Sequence, residues 1–156
     1  MIELKWRRIQ PGQGHEAGRA LLAQMYEAHR GREMPAVVLE ARGKPRFAED
    51  TLQFSISHTK GHVFCVLSDR PVGIDAEEMD RDIDLRLAEK ILSPAEKARY
   101  LAAPDQREAL LKLWVLKEAA AKRSGEGLRG YPNQTDLSPE DPRLKEIDGC
   151  YVAVVE

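Results

Sequence analysis

Two carboxylates two residues apart, Asp75 and Glu77, interrupt an otherwise apolar stretch, Pro71-Val72-Gly73-Ile74-Asp75-Ala76-Glu77. Acidic residues are depleted in strands, so their presence in one calls for a reason. Residues i and i+2 of an extended segment share a face, so Asp75 and Glu77 project together while Ile74 and Ala76 turn to the core. Paired hard oxygen ligands on a rigid element suit Mg²⁺, with water and a phosphate completing its coordination. The same pattern also describes an exposed edge strand with a solvated acidic face.

A second cluster is Lys117-Glu118 followed by Lys122. Trp114, Glu118 and Lys122 fall at i, i+4 and i+8 and share one face of a helix. Glu118 and Lys122 are then either a solvated ion pair or, above a packed Trp114, the rim of a cleft that holds a metal and a phosphate. Arg42-Gly43-Lys44-Pro45-Arg46 is a basic turn whose three cations either receive a phosphate or are simply solvated. Ser57-His58 is not a hydrolase pair, because neighbours on a strand point to opposite faces and no G-x-S-x-G elbow is present. No fixed spacing supports a zinc site from His58, His62 and Asp75. Cys65 and Cys150 both lie in apolar, strand-like contexts and read as small buried hydrophobes.

The elements that must position these residues follow from periodicity. Ile2 to Ile9 alternates as a half-buried strand; Ala17, Leu21, Leu22, Met25 and Ala28 recur at helical spacing up to Gly31. Ala36 to Glu40 is a short strand. Thr51 to Thr59 and Val63 to Leu67 form a hairpin through Lys60-Gly61, with the acidic strand as third member of an antiparallel meander. Ser93-Pro94-Ala95-Glu96 is a capping box opening a helix to about Ala102. Asp105 caps a longer helix that stops at Ser124-Gly125. Tyr131 to Asp148 reads as loop, and Cys150 to Val155 as a closing strand.

The 156 residues, 42% hydrophobic, are enough for one domain or two small packed lobes. The N-terminus is mixed and charged and no run of 18 apolar residues occurs, so a cytoplasmic protein without membrane association is expected. The net charge of −2 argues against a nucleic-acid binder. Charge is nonetheless segregated: residues 1–46 hold nine Lys/Arg against five Asp/Glu, and residues 69–84 hold two against seven.

Four segments in order resemble the 4′-phosphopantetheinyl transferases of the surfactin-activating type. They are Gly43-Lys44-Pro45, Phe54-Ser55-Ile56-Ser57-His58-Thr59, Val72-Gly73-Ile74-Asp75-Ala76-Glu77, and Trp114-Val115-Leu116-Lys117-Glu118-Ala119-Ala120-Ala121-Lys122, with Gly125-Glu126-Gly127-Leu128 following. In the shorter acyl-carrier-protein synthase type the Gly-x-Asp motif opens the chain and a trimer is needed. Here Ser-His comes first, which implies a monomer.

The resemblance implies an α+β fold of two small similar lobes related by a pseudo-twofold, each a short antiparallel sheet with helices packed on it. The whole chain, 1–156, would be a single transferase domain with lobes at about 1–80 and 81–156. It implies Mg²⁺, or Mn²⁺ in its place, held by Asp75, Glu77 and Glu118 with the pyrophosphate of coenzyme A. Ser57, His58 and Lys122 would contact phosphate oxygens, and Lys44 with Pro45 would hold the nucleotide end. The implied reaction moves 4′-phosphopantetheine to a serine of an apo acyl or peptidyl carrier protein and releases 3′,5′-ADP, with Asp75, Glu118 and Lys122 catalytic and Glu118 the candidate base. A coenzyme A phosphoanhydride hydrolase and a non-catalytic coenzyme A or carrier-binding module are the alternatives. The chain is short for the surfactin type, whose upstream basic segment would be replaced by one of Arg7, Arg8, Arg19 or Arg30.

Overall fold

The computed structural model describes residues 1–127 and 135–156. Leu128 of the last motif, and Tyr131 to Gln134 of the expected loop, lie outside the described residues. The elements run β1 (Ile2–Arg8), α1 (Gly14–Arg30), β2 (Val37–Leu39), β3 (Pro45–Phe47), β4 (Gln53–His58), β5 (His62–Ser68), β6 (Gly73–Glu78), α2 (Leu87–Ile91), α3 (Pro94–Ala102), α4 (Gln106–Ser124), β7 (Leu144–Ile147) and β8 (Cys150–Val155).

This is an α+β fold built on two three-stranded antiparallel sheets, ordered β1-β5-β4 and β6-β8-β7. Both sheets follow one rule: the first strand in sequence pairs with the last, and the last with the middle one. The β4-β5 hairpin forms as its pattern predicts, but the meander does not. β1 takes the free edge of β5, in register from Ile2 opposite Ser68 to Arg8 opposite His62, and β6 leaves to pair with β8. β5 is buried along its whole length, so both of its edges need partners, and Pro71 has no N–H with which to extend a ladder from it. Residues 73–78, inside the first of the two expected lobes, therefore belong to the sheet of the C-terminal strands.

Alternation along β5 separates two cores. Val63, Cys65 and Leu67 pack with Leu21, Leu22, Met25 and Tyr26 of α1, while Phe64 and Val66 meet Ile74, Ala76 and Val152 of the second sheet. The far face of that sheet, Tyr151, Ala153 and Val155, packs on Leu111, Val115 and Leu116 of α4. The sheets are stitched together by side chains. The Ile74 N–H donates to Ser55 Oγ at 3.1 Å and the Ala76 N–H to Ser57 Oγ at 3.0 Å.

The helices end where the sequence marks them. Ser93 and Glu96 form the reciprocal capping box, Asp105 caps α4 through the Glu108 N–H, and α1 and α4 close on Gly31 and Gly125 in left-handed conformation. Two short strands depart from expectation. Pro45–Phe47, read as part of a turn, pairs with β2, and Leu144–Ile147, read as loop, forms β7 against β8. Both are too short for a period to show. Among the described residues no helix is long and apolar enough to cross a membrane.

Candidate active site

β6 delivers the acidic pair as its period requires. Asp75 sits opposite Ala153 and Glu77 opposite Tyr151, on the face that α4 covers. Gly73 lets the helix come down onto the strand: a Cβ there would lie 2.0 Å from the Ala119 carbonyl oxygen and 2.4 Å from the Arg123 nitrogen. At that spacing Lys122 Nζ reaches Asp75 Oδ1 at 3.1 Å and donates to the Ile56 carbonyl at 3.3 Å.

Asp75 is buried, and its second oxygen, Oδ2, is a buried side-chain atom without a hydrogen-bond partner. Burial raises its pKa, against the opposing pull of Lys122 and Ser57. Burial also raises Glu77 and Glu118; Asp75 pushes both further up, and Glu77 adds to Glu118. The three carboxyls thus share a field that resists their ionising together, the electrostatic condition that a bound cation relieves. An orphaned carboxylate oxygen in an all-oxygen donor set fits Mg²⁺. Glu77 Oε1 is meanwhile engaged by Arg81 at 2.6 Å.

Beside the acids a cleft of about 400 Å³ opens between the two halves of the chain. His15, Arg19, Arg42, Lys44, Pro45, His58, Glu118 and Lys122 are among the residues lining it. Lys44 Nζ donates to the Arg123 carbonyl at 2.5 Å and lies 3.4 Å from that of Val72, and burial lowers its pKa. His58 packs against the start of α1, where a Cβ on Gly14 would fall 2.3 Å from its Nδ1.

The expected site residues therefore divide into groups. Lys44, Pro45, His58, Glu118 and Lys122 border one cleft, and Asp75 lies behind it in contact with Lys122. Ser57 is buried on the opposite face from His58; it accepts from Ala76 and donates to Asp75 Oδ1 at 3.4 Å, and Ser55 lines the cleft instead. Lys117, next to Glu118 in sequence, turns away into a buried ion pair with Glu96 at 2.7 Å.

Of the four arginines named for the missing upstream segment, Arg19 lines the cleft, whereas Arg7 is bonded to Gln24, Arg8 to Asp148 and Arg30 to Asp50. His15 was not anticipated. Its signal is its spacing, since His15 and Arg19 stand at i and i+4 on one face of α1.

Two three-stranded antiparallel sheets, with a cleft lined by Arg19, Arg42, Lys44, Lys122 and Glu118 beside them, define an α+β protein with a cation-rich cleft. Residues 71–148 match the family model of the 4′-phosphopantetheinyl transferase superfamily, and the chain belongs to that family. It is 32% identical over 137 residues to the 4′-phosphopantetheinyl transferase HetI of Nostoc sp., covering 81% of this chain and 58% of that one. It is 34% identical over 123 residues to the transferase psf-1 of Bacillus pumilus, covering 72% and 52%, and 37% identical over 114 residues to AcpT of Escherichia coli K12, covering 70% and 56%. The chain spans somewhat more than half the length of these curated relatives.

Proposed function

We propose that the chain transfers 4′-phosphopantetheine from coenzyme A to a serine of an apo acyl or peptidyl carrier protein, with Mg²⁺ as cofactor and 3′,5′-ADP as leaving product. The observation that carries this reading is the meeting of a cation-lined cleft with a carboxyl cluster, Asp75, Glu77 and Glu118, in which Asp75 has an unpartnered buried oxygen.

Asp75, Glu77 and Glu118 would hold the metal, which would neutralise the pyrophosphate and the charge growing on the bridging oxygen. Lys122 stands between Asp75 and the cleft, placed to donate to a phosphate oxygen during transfer. Glu118, which borders the cleft beside Lys122, is placed to take the proton of the incoming serine. Lys44, Pro45, Arg19 and Arg42 bind the nucleotide end, where positive charge and a half-buried wall suit a phosphorylated ribose. His58, fixed against α1, contributes a phosphate contact, and Ser57 orients Asp75 rather than touching substrate.

The reading takes the protein to be cytoplasmic, to work as a monomer and to bind neither nucleic acid nor membrane. Its test is intact-protein mass spectrometry of an apo acyl carrier protein incubated with the chain, coenzyme A and Mg²⁺. A pantetheine-sized mass gain with the parent but not with Glu118→Ala is expected. Release of 3′,5′-ADP without modification of any carrier would point to hydrolysis; Mg²⁺-dependent coenzyme A binding without turnover would point to a binding module.

A further inference from the structure

Cys150 packs in an apolar cluster as its sequence context predicts, yet its Sγ also meets polar groups. Its Sγ lies 3.4 Å from His62 Nδ1 and 3.4 Å from Glu78 Oε2, and His62 Nδ1 lies 3.0 Å from Glu78 Oε1. Among the described residues these three supply the cluster whose ligand atoms all fall within 4.8 Å of one another. Each comes from a different strand end: the start of β5, the end of β6 and the start of β8.

We propose that His62 Nδ1, Glu78 and Cys150 Sγ form a site for a divalent cation of borderline softness, of which Zn²⁺ is the type, separate from the all-oxygen carboxylate cluster around Asp75. Sulfur, nitrogen and one carboxylate oxygen are a donor set that favours Zn²⁺ or Co²⁺ over Mg²⁺. Charge balances as well: thiolate, neutral imidazole and carboxylate cancel a dication, as a largely buried site requires. Binding expels the thiol proton and the Nδ1 proton to solvent, leaving the Nε2 proton in place.

The surrounding contacts have the form that a ligating histidine needs. His62 Nε2 lies 2.7 Å from Asp148 Oδ2, a carboxylate that would retain the Nε2 proton once Nδ1 gives up its own to a metal. Asp148 is itself held by Arg8 through two bonds of 2.7 and 2.8 Å, and it has φ of 47°, the left-handed conformation that a non-glycine residue seldom adopts. Thr59 Oγ1 donates to Glu78 Oε1 at 2.7 Å, orienting the carboxylate. Cys150 is fully buried and Glu78 is part exposed, so a cation enters past Glu78 and keeps a water or an open position on that side.

Co²⁺ titration of the full-length chain tests the site. A Cys65→Ser protein, whose one thiol is Cys150, should take up one equivalent with a thiolate-to-cobalt charge-transfer band in the near ultraviolet, and Zn²⁺ should bleach that band. His62→Gln and Cys150→Ser should lose it; Asp148→Asn should weaken binding about tenfold or more. Excess Mg²⁺ and the Asp75→Asn substitution should leave the band intact, which separates this site from the proposed transferase centre. Absence of the band in folded Cys65→Ser protein, or its persistence in Cys150→Ser, would overturn the assignment.

Discussion

Gly73 and Ala119 touch backbone to backbone: the space where a Gly73 side chain would begin is taken by the Ala119 carbonyl oxygen. Strand β6 and helix α4 are therefore closer than any other residue at position 73 would allow. That closeness is what brings Lys122 of the helix to Asp75 of the strand.

Gly73→Ala should accordingly act on both fold and site. The obstacles are backbone atoms, which cannot swing aside as a side chain does, so the cost should reach the upper end of the roughly 1–3 kcal/mol typical of overpacking. Thermal unfolding should show a lowered midpoint, and the folded fraction should lose Mg²⁺ response. A parental midpoint would mean that α4 can shift freely.

Asp75 has a raised folded-state pKa, so the native chain binds more protons than the unfolded chain between the ordinary carboxyl value and the raised one. Stability without metal should fall as pH rises through that window and level off above it. Asp75→Asn should reduce the fall, to which Glu77 and Glu118 also contribute, while Mg²⁺ raises the midpoint of the parent alone. Pantetheine transfer should be lost. Calorimetry with and without Mg²⁺ at several pH values checks each part.

Arg19→Ala and Lys44→Ala should raise KM for coenzyme A several-fold and largely spare kcat, because both residues hold a part of the substrate remote from the reacting phosphorus. Arg7→Ala and Arg30→Ala, whose side chains are engaged elsewhere, should leave KM unchanged. Steady-state kinetics on the four variants would expose a wrong assignment directly.

Lys117 belongs to the same motif as Glu118 but should behave oppositely. Its buried pair with Glu96 also ties the α3 capping box to α4, and removing one partner of such a pair costs about 3–5 kcal/mol. Lys117→Ala should unfold at markedly lower denaturant, with KM of the folded protein little changed. A kinetic defect without a stability defect would move Lys117 into the active site.

Asp50 accepts from Tyr26 at 2.5 Å and from Arg30 at 2.7 and 3.0 Å, and Arg30 holds its carboxyl well below the usual range. A depressed folded-state pKa contributes stability above the unfolded value, about 3.9, that disappears on acidification. Asp50→Asn should flatten the acid limb of the stability curve and lower stability at neutral pH by about 1–3 kcal/mol. Acid titration followed by circular dichroism gives the comparison.

Local chemistry told most of this structure in advance. The Ser93 capping box, the Asp105 cap and the glycine stops at Gly31 and Gly125 are short-range signals, and each appears where the residues place it; the strand expected over Ile2 to Ile9 also forms, but Ile2 and Trp6 are exposed and its burial does not alternate. Pairing across distance was less readable. Nothing in residues 69–78 states that β6 must leave the first sheet, because that depends on β1 having occupied the edge of β5. At the site, helical spacing anticipated Glu118 and Lys122 on one face, but could not say that Lys117 would be buried against Glu96 of another helix. Nor could it choose Arg19 among four arginines, since the choice rests on which ones other side chains already engage. Cys150 is the buried residue that its apolar context predicts, but its polar neighbours His62 and Glu78 come from strands far away in sequence and could not be read there.

The order in which strands fill the second sheet bears on how the protein is made. Asp75 lies opposite Ala153, and β8 must slot between β6 and β7 before that sheet exists. On the ribosome, where chains emerge at about 5–20 residues per second, the strand bearing the proposed metal ligands waits several seconds for its partner. During that interval β6 lacks its sheet partner and the α4 cover, and is held by the two serines of β4 and by Phe64 and Val66 of β5. The α1-covered sheet is complete by Ser68 and can fold first, so the half that carries the carboxyl cluster is the last to form and the one most exposed to misassembly in the nascent chain.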